Sequence, residues 1–126
     1  MKIIGEVTSG LGKAEFFLSQ EFYKKEFLKH CGFIPYPGTL NIIVCQDYLN
    51  KINSIKNDCE NIIESKGNFG SVKYVHAILN NEVKGAIVFP DKSVHDENYL
   101  EFIASFRLRD AFNLKDGDKI SIILEV

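Results

Sequence analysis

The sequence has few cysteines, and their spacing excludes the commonest disulfide and zinc patterns. Cys31, Cys45 and Cys59 are odd in number and lie far apart in the chain. Small secreted domains carry even sets of cysteines, and zinc sites pair them at short spacings. We therefore expect three reduced thiols and a cytoplasmic protein.

Long apolar runs and an excess of positive charge are also lacking. No run approaches the roughly 20 residues that a membrane-spanning helix needs, and the N-terminal segment has a strand pattern rather than a signal-peptide pattern. The formal net charge of −2 argues against sequence-independent binding of nucleic acid, which requires a basic surface. We expect a monomer with neither a membrane nor a nucleic-acid partner.

The length and composition are those of one globular domain. The chain has 126 residues, 45% of them hydrophobic, and contains no internal repeat or Pro/Gly/Ser linker. A chain of this size can bury roughly two thirds of the surface that its unfolded form exposes, so it needs no metal or disulfide to form a core. We predict a single domain over residues 1–126.

Short β-branched, apolar segments recur along the chain and predict a mainly β protein. Residues 99–104 fit a strand or a helix, and residues 72–79 and 83–89 fit a hairpin around a two-residue turn at Asn80-Asn81. Many short strands favour a closed β-barrel, which leaves no exposed sheet edge. The other predicted strands are residues 2–8, 14–18, 39–45 and 119–126.

Three short helices are predicted between the strands. Ser19 is a candidate N-cap for the first helix, and Gly32 is a natural stop. A second helix is predicted near residues 48–55, within an irregular stretch rich in Asn and Lys, and a third over residues 106–112 from Ser105.

The first candidate site is the glycine-containing turn Gly10-Leu11-Gly12-Lys13-Ala14. Glycines at a turn can let backbone N–H groups converge on an anion. The segment completes neither a Walker motif nor a Rossmann fingerprint. A plain tight turn and a phosphate cradle both remain possible.

The second candidate site is the pair Thr39 and Asn41. Alternation along a strand places both side chains on one face. Their neutral oxygens could hold a Mg²⁺ ion that arrives with a triphosphate, or they could simply bond to nearby backbone.

A third candidate group lies near the C-terminus. Arg107 and Arg109 could grip phosphate through charge-assisted hydrogen bonds, or could form a solvated face. Glu101 interrupts an apolar run, so its carboxylate either points to solvent or serves a site.

Four segments occur in one order along the chain: SGLGKAEFFL, GFIPYPGTLNI, KGAIVFP and SVHDENYLEFIASFRLRDAFNLKDGDKI. This series resembles the archaeal CTP-dependent riboflavin kinases over nearly the whole chain, with PGTLN and LRxxFNLKDGD as the most specific parts. The resemblance implies a six-stranded cradle-loop (RIFT-like) β-barrel with short helices. It also implies transfer of the γ-phosphate of CTP to the riboflavin 5′-hydroxyl, giving FMN and CDP, with Mg²⁺ as cofactor.

The resemblance also implies residue roles. Thr39 and Asn41 should hold Mg²⁺, and Ser93 and Glu101 should contact the flavin nucleotide, with Thr39, Asn41 and Glu101 forming the catalytic group. Ala14, Glu15 and Ser93 stand where relatives can have glycine, arginine and threonine. The expected nucleotide-binding residues are Gly10, Leu11, Gly12, Lys13, Ala14, Glu15, Phe16, Phe106, Arg107, Leu108 and Arg109.

Two other functions fit parts of the sequence. A short helix followed by LKDGDKI and a terminal strand also occurs in swapped-hairpin DNA-binding transcription factors, although the charge of −2 argues against that class. A flavin- or nucleotide-binding module without catalysis is the second alternative.

Overall fold

A computed structural model describes residues 1–9, 18–64, 66–67, 70–90 and 98–125. The predicted strand at residues 14–18 lies outside this range except for Leu18, whose backbone is helical rather than extended. Within the described part of the chain, no helix is long and apolar enough to cross a membrane.

Six antiparallel strands close into a barrel, as predicted. The strands of the sheet are β1 (Lys2–Thr8), β2 (Leu40–Val44), β3 (Ile62–Ile63), β4 (Val72–Leu79), β5 (Val83–Pro90), β6 (Tyr99–Ile103) and β7 (Lys119–Leu124). In the order of their hydrogen bonding the barrel strands run β4, β5, β6, β2, β1 and β7, and a pairing between β7 and β4 completes the ring. The two-residue strand β3 pairs with the beginning of β4.

The barrel interior is filled by alternate residues of each strand. In β2, Leu40, Ile42 and Val44 are buried in the barrel core, whereas Asn41 and Ile43 between them are only partly buried. Because side chains alternate across a strand, this burial pattern fixes which residues face outward. Asn41, the candidate site residue on β2, therefore lies on the outer face of the barrel wall.

A second apolar layer covers part of that outer surface. Helix α1 (Glu21–Cys31) packs Tyr23 and Phe27 against the outer face of β4, β5 and β6. The Tyr23 hydroxyl also donates a hydrogen bond to the Gly70 carbonyl at 2.7 Å. None of residues 39–41 belongs to this second layer.

The helix ends differ in detail from the sequence prediction. Gly32 ends α1 in the left-handed region at φ 82°, as predicted, but the N-cap is Gln20 rather than Ser19. Helix α2 (Leu49–Asp58) continues three residues beyond the predicted end, after a short 3-10 helix at Gln46–Tyr48. Helix α3 (Leu108–Ala111) begins after Arg107 rather than Ser105.

The hairpin between β4 and β5 has a three-residue loop rather than the predicted two-residue turn. Leu79 pairs with Val83, and the Glu82 N–H donates to the Leu79 carbonyl at 2.9 Å. Asn80 and Asn81 adopt positive φ angles of 49° and 59°, a conformation that asparagine tolerates well. The ambiguous segment at residues 99–104 forms strand β6, because it pairs with both β2 and β5.

The three cysteines are free thiols, as predicted. Burial raises the pKa of the Cys31 thiol to about 11, so this residue remains protonated and unreactive near neutral pH.

We predict that Gly85→Ala will destabilise the barrel by about 3 kcal/mol, because a Cβ atom there overpacks the wall. That atom would lie 2.1 Å from the Ile103 carbonyl oxygen and 2.6 Å from the Phe102 ring. Gly70→Ala is the matched control, since its Cβ would meet no heavy atom within 4 Å. Chemical denaturation should separate the two variants, and equal unfolding midpoints would contradict this account of the packing.

Candidate functional site

Three polar residues form a row across neighbouring strands. Thr8 of β1 lies opposite Asn41 of β2, and Asn41 lies opposite Glu101 of β6. Residues directly opposite each other in antiparallel strands project from the same face of the sheet. Since the neighbours of Asn41 on β2 point into the barrel, this row lies on its outer face.

Glu101 is buried within this row and has a defined partner. Its side chain is 6% exposed, and the Thr39 hydroxyl donates a hydrogen bond to Glu101 Oε1 at 3.0 Å. A buried carboxylate is costly unless it accepts hydrogen bonds, so this contact helps to keep it in place. Thr39, a predicted metal ligand, and Glu101, a predicted flavin contact, are therefore joined by one hydrogen bond.

Asn41 carries a buried oxygen without a partner. Its Oδ1 atom accepts no hydrogen bond from any described residue. The Asn41 Nδ2 atom makes only a long hydrogen bond, of 3.4 Å, to the Thr39 carbonyl. An unsatisfied buried acceptor costs about 1–3 kcal/mol, so an atom of this kind suits a bound cation or donor.

The donor atoms fit a hard divalent cation better than a soft metal. A hydroxyl that donates its hydrogen, as Thr39 does to Glu101, keeps oxygen lone pairs for a second contact. Thr39 and Asn41 thus offer two oxygens of the kind that Mg²⁺ prefers. Across residues 1–9, 18–64, 66–67, 70–90 and 98–125, no group of three His, Cys, Asp or Glu side chains could hold a metal. A cation here would need further oxygens from a phosphorylated substrate.

Arg109 approaches the row from helix α3. Its Nη2 atom donates to the Thr8 carbonyl at 2.8 Å and to Asp116 Oδ1 at 2.7 Å. The guanidinium is partly buried, with 28% of the side chain exposed. Arg109 is therefore the one of the two predicted arginines that the fold ties to the strand carrying Thr8.

Ser9 and Asp116 complete a network that the sequence analysis missed. The Ser9 hydroxyl donates to Asp116 Oδ2 at 2.7 Å, so both oxygens of the carboxylate are engaged. Hydrogen bonds from Ser9 and then Arg109 hold the pKa of the Asp116 carboxyl below its ordinary value. The available signal was the FNLKDGD segment, which is among the most specific parts of the resemblance but to which no role for Asp116 was attached.

The other residues near helix α3 that were predicted to bind the nucleotide differ from one another in their surroundings. Arg107 forms an exposed ion pair with Asp110 at 2.8 Å, and Leu108 is buried in the barrel core. Phe106 is 42% exposed, with its ring 6.5 Å from that of Phe112. Their nucleotide-binding roles stay predictions.

The glycine-containing segment and Ser93 lie outside the described residues, as do all the predicted positions from Gly10 to Phe16. The residues that lead into the glycine-containing segment are described. Thr8 lies beside Asn41, and Ser9 is held by Asp116. Strand β1 therefore ends at Thr8, directly opposite Asn41.

A groove elsewhere on the molecule contains none of the predicted site residues. It has a volume of about 440 Å³ and lies against helix α2. Three of its lining residues, Asp58, Glu60 and Glu125, carry carboxylates that would repel a triphosphate. The other lining residues are Ser54, Ile55, Cys59, Asn61 and Val75.

Comparison with known proteins connects this geometry to one family. A family model for CTP-dependent riboflavin kinases, described as "Domain of unknown function DUF120", matches residues 7–124. A riboflavin kinase of Methanobrevibacter smithii is 62% identical, with 97% of this chain and 98% of the relative aligned. Riboflavin kinases of Methanosphaera stadtmanae and Methanothermobacter thermautotrophicus are 43% and 39% identical, covering 96% and 93% of this chain and 95% and 93% of theirs. These matches give no support to a DNA-binding or non-catalytic role.

We predict that Asn41→Ala will leave the melting temperature equal to that of the unchanged protein or higher, because it removes a buried acceptor without a partner. Ile42→Ala on the same strand is the control. It truncates a fully buried core side chain and should cost about 3 kcal/mol. Thermal unfolding followed by circular dichroism measures both. A loss in Asn41→Ala comparable to that in Ile42→Ala would make Asn41 a structural residue.

Proposed function

The chain belongs to the CTP-dependent riboflavin kinase family, and from this premise we propose that it phosphorylates riboflavin. The γ-phosphate of CTP passes to the riboflavin 5′-hydroxyl, and the products are FMN and CDP. We propose that residues 1–126 act as a single kinase domain. We also propose that the protein is a cytoplasmic monomer that binds neither nucleic acid nor membranes.

The observation that carries this proposal is the meeting of Thr39, Asn41 and Glu101 beside the end of β1. The Thr39 hydroxyl contacts the Glu101 carboxylate at 3.0 Å, and Asn41 lies opposite both Glu101 and Thr8. A kinase must bring two substrates end to end, and this row offers two adjacent kinds of contact. Oxygens suited to a metal-bound triphosphate lie next to a carboxylate suited to a polyhydroxylated acceptor.

Thr39 and Asn41 would hold Mg²⁺ in this proposal. The Asn41 Oδ1 atom, which has no partner among the described residues, and the Thr39 hydroxyl oxygen would be its protein ligands. The bound ion would supply positive charge that offsets the negative charge of the triphosphate. Neutral ligands suit such a site, because they add no further negative charge beside the triphosphate.

Glu101 would orient the acceptor. Its carboxylate is fixed by the Thr39 hydroxyl and by its position on β6 between two paired strands. A carboxylate held in this way can accept a hydrogen bond from a ribityl hydroxyl, which places the 5′-hydroxyl toward the triphosphate. Ser93, by resemblance, would provide a second contact to the flavin nucleotide.

The chemical step then needs positioning more than covalent help. A bond forms between the 5′-oxygen and the γ-phosphorus, and the bond from that phosphorus to the β–γ bridging oxygen breaks in line. The bridging oxygen leaves with CDP, and the proton of the 5′-hydroxyl passes to solvent. Arg109 would stabilise the negative charge on the phosphate oxygens, together with backbone N–H groups near Gly10 and Gly12. Arg107, Leu108 and Phe106 would complete the nucleotide pocket.

The direct test is to incubate the protein with riboflavin, Mg²⁺ and each of CTP, ATP, GTP and UTP, and to measure FMN. We expect CTP to support turnover at least about tenfold better than the others, a difference of about 1.4 kcal/mol. Thr39→Ala and Asn41→Ala should lose this turnover while remaining folded. Near-normal rates in both variants would remove the two residues from the site, and a better rate with ATP would refute the CTP preference.

Glu101→Ala should weaken riboflavin binding more than CTP binding, because the carboxylate faces the acceptor in this proposal. The loss of a hydrogen bond to a charged group predicts a reduction of roughly tenfold or more in riboflavin affinity. Quenching of flavin fluorescence and calorimetric titration with CTP measure the two affinities separately. An equal loss of both would indicate that Glu101 acts on the structure of the whole site.

A further inference from the structure

We propose that Asp116 is a positioning residue for the nucleotide, an inference that rests on the proposed kinase function. Its carboxylate holds the Arg109 guanidinium and the Ser9 hydroxyl together beside the end of β1. It thereby sets the affinity for the triphosphate without touching the reacting atoms. The family resemblance described above implies no role for Asp116 or for Ser9.

The network links parts of the chain that are distant in sequence. Arg109 and Thr8 are 101 residues apart, and Ser9 and Asp116 are 107 residues apart. Asp116 uses one oxygen for Arg109 and the other for Ser9. A single carboxylate therefore connects helix α3 to the last two described residues before the glycine-containing segment.

The arrangement restricts how Arg109 can move. Its Nη2 atom donates to both the Thr8 carbonyl and Asp116 Oδ1, so two hydrogen bonds from one nitrogen restrict the orientation of the guanidinium plane. The Nε and Nη1 donors of an arginine lie in that same rigid plane, so their direction is fixed as well. A pre-oriented guanidinium loses less side-chain entropy when it binds phosphate.

The loop that carries Asp116 has contacts of its own besides those of the Asp116 side chain. The Gly117 N–H donates to the Val7 carbonyl at 2.8 Å, and the Val7 N–H donates to the Asp118 carbonyl at 2.9 Å. The Lys115 N–H is bound by the Asp118 carboxylate at 2.8 Å. These contacts hold residues 115–118 against β1 independently, which leaves positioning as the effect of Asp116.

Simple electrostatics predicts the opposite result from positioning. Asp116 is negatively charged and 56% exposed, so its removal should strengthen the attraction of an anionic triphosphate if charge alone mattered. If the carboxylate positions Arg109 and Ser9, its removal should weaken that binding. The sign of the change therefore distinguishes the two explanations.

The test compares Asp116→Ala, Asp116→Asn and Ser9→Ala with Glu6→Ala as the control. Glu6 lies on β1 and, like Asp116, pairs with a cation, in this case Lys119. Replacing Glu6 therefore makes the same change in charge near this strand. For each protein, kcat and the KM values for CTP and riboflavin are measured, with the Kd for CTP by calorimetry.

We expect Asp116→Ala to raise both the KM and the Kd for CTP about tenfold, the loss typical of a charge-assisted hydrogen bond. The KM for riboflavin and kcat should change little. The CTP affinity of Asp116→Asn should lie between those of Asp116→Ala and the unchanged protein, since the asparagine amide oxygen can still accept a hydrogen bond from Arg109. Ser9→Ala should shift CTP affinity in the same direction by less, and Glu6→Ala should behave as the unchanged protein. Adding Asp116→Ala to Arg109→Ala should weaken CTP binding further by no more than Ser9→Ala does, since only the Ser9 contact is then left to lose.

Unchanged or tighter CTP binding in Asp116→Ala would overturn the inference, as would an equal rise in both KM values. If Asp116→Ala fails to fold, Asp116→Asn and Ser9→Ala decide the question by the same criteria. Failure of the proposed function is seen separately, as the absence of FMN formation by the unchanged protein. The Kd for CTP still tests Asp116 in that case, and absence of CTP binding by the unchanged protein would overturn both.

Discussion

The register of three strands is the constraint on which the candidate site depends. Leu40 and Ile42 must face the barrel core, so Asn41 between them must face outward, and the pairing of β1, β2 and β6 then aligns it with Thr8 and Glu101. A shift of one residue in β2 would turn Asn41 into the core and turn Leu40, Ile42 and Val44 out of it. The same hydrophobic pattern that closes the barrel therefore also positions the polar row.

The polar row has features that stability alone does not favour. A 6% exposed carboxylate and a buried amide oxygen without a partner both carry desolvation costs, and the barrel core offers apolar burial that offsets them. Such costs are typical of sites that await a ligand, because the ligand supplies the missing contacts. The arginine network differs, since each of its side chains already has a partner and its contribution is orientation.

Sequence patterns predicted the local elements well where one signal dominated. Gly32 ended its helix as expected, and the β-branched runs formed the strands of a six-stranded barrel. The errors arose where neighbouring interactions compete with local preference. The hairpin loop includes Glu82 because Leu79 pairs with Val83 and thereby sets the register. The N-cap of the first helix is Gln20 rather than Ser19, although serine has the better capping side chain.

The sequence by itself determined the fold class, the family resemblance and the alternation that puts Thr39 and Asn41 on one strand face. Only the tertiary structure decided that Thr39 contacts Glu101, that Arg109 rather than Arg107 reaches β1, and that Asp116 joins Ser9 to helix α3. The physical reason is the range of the interactions. Periodicity and turn preference act within a few residues, whereas the Thr39–Glu101, Arg109–Thr8 and Ser9–Asp116 contacts join groups 62, 101 and 107 residues apart and exist only once the barrel has closed.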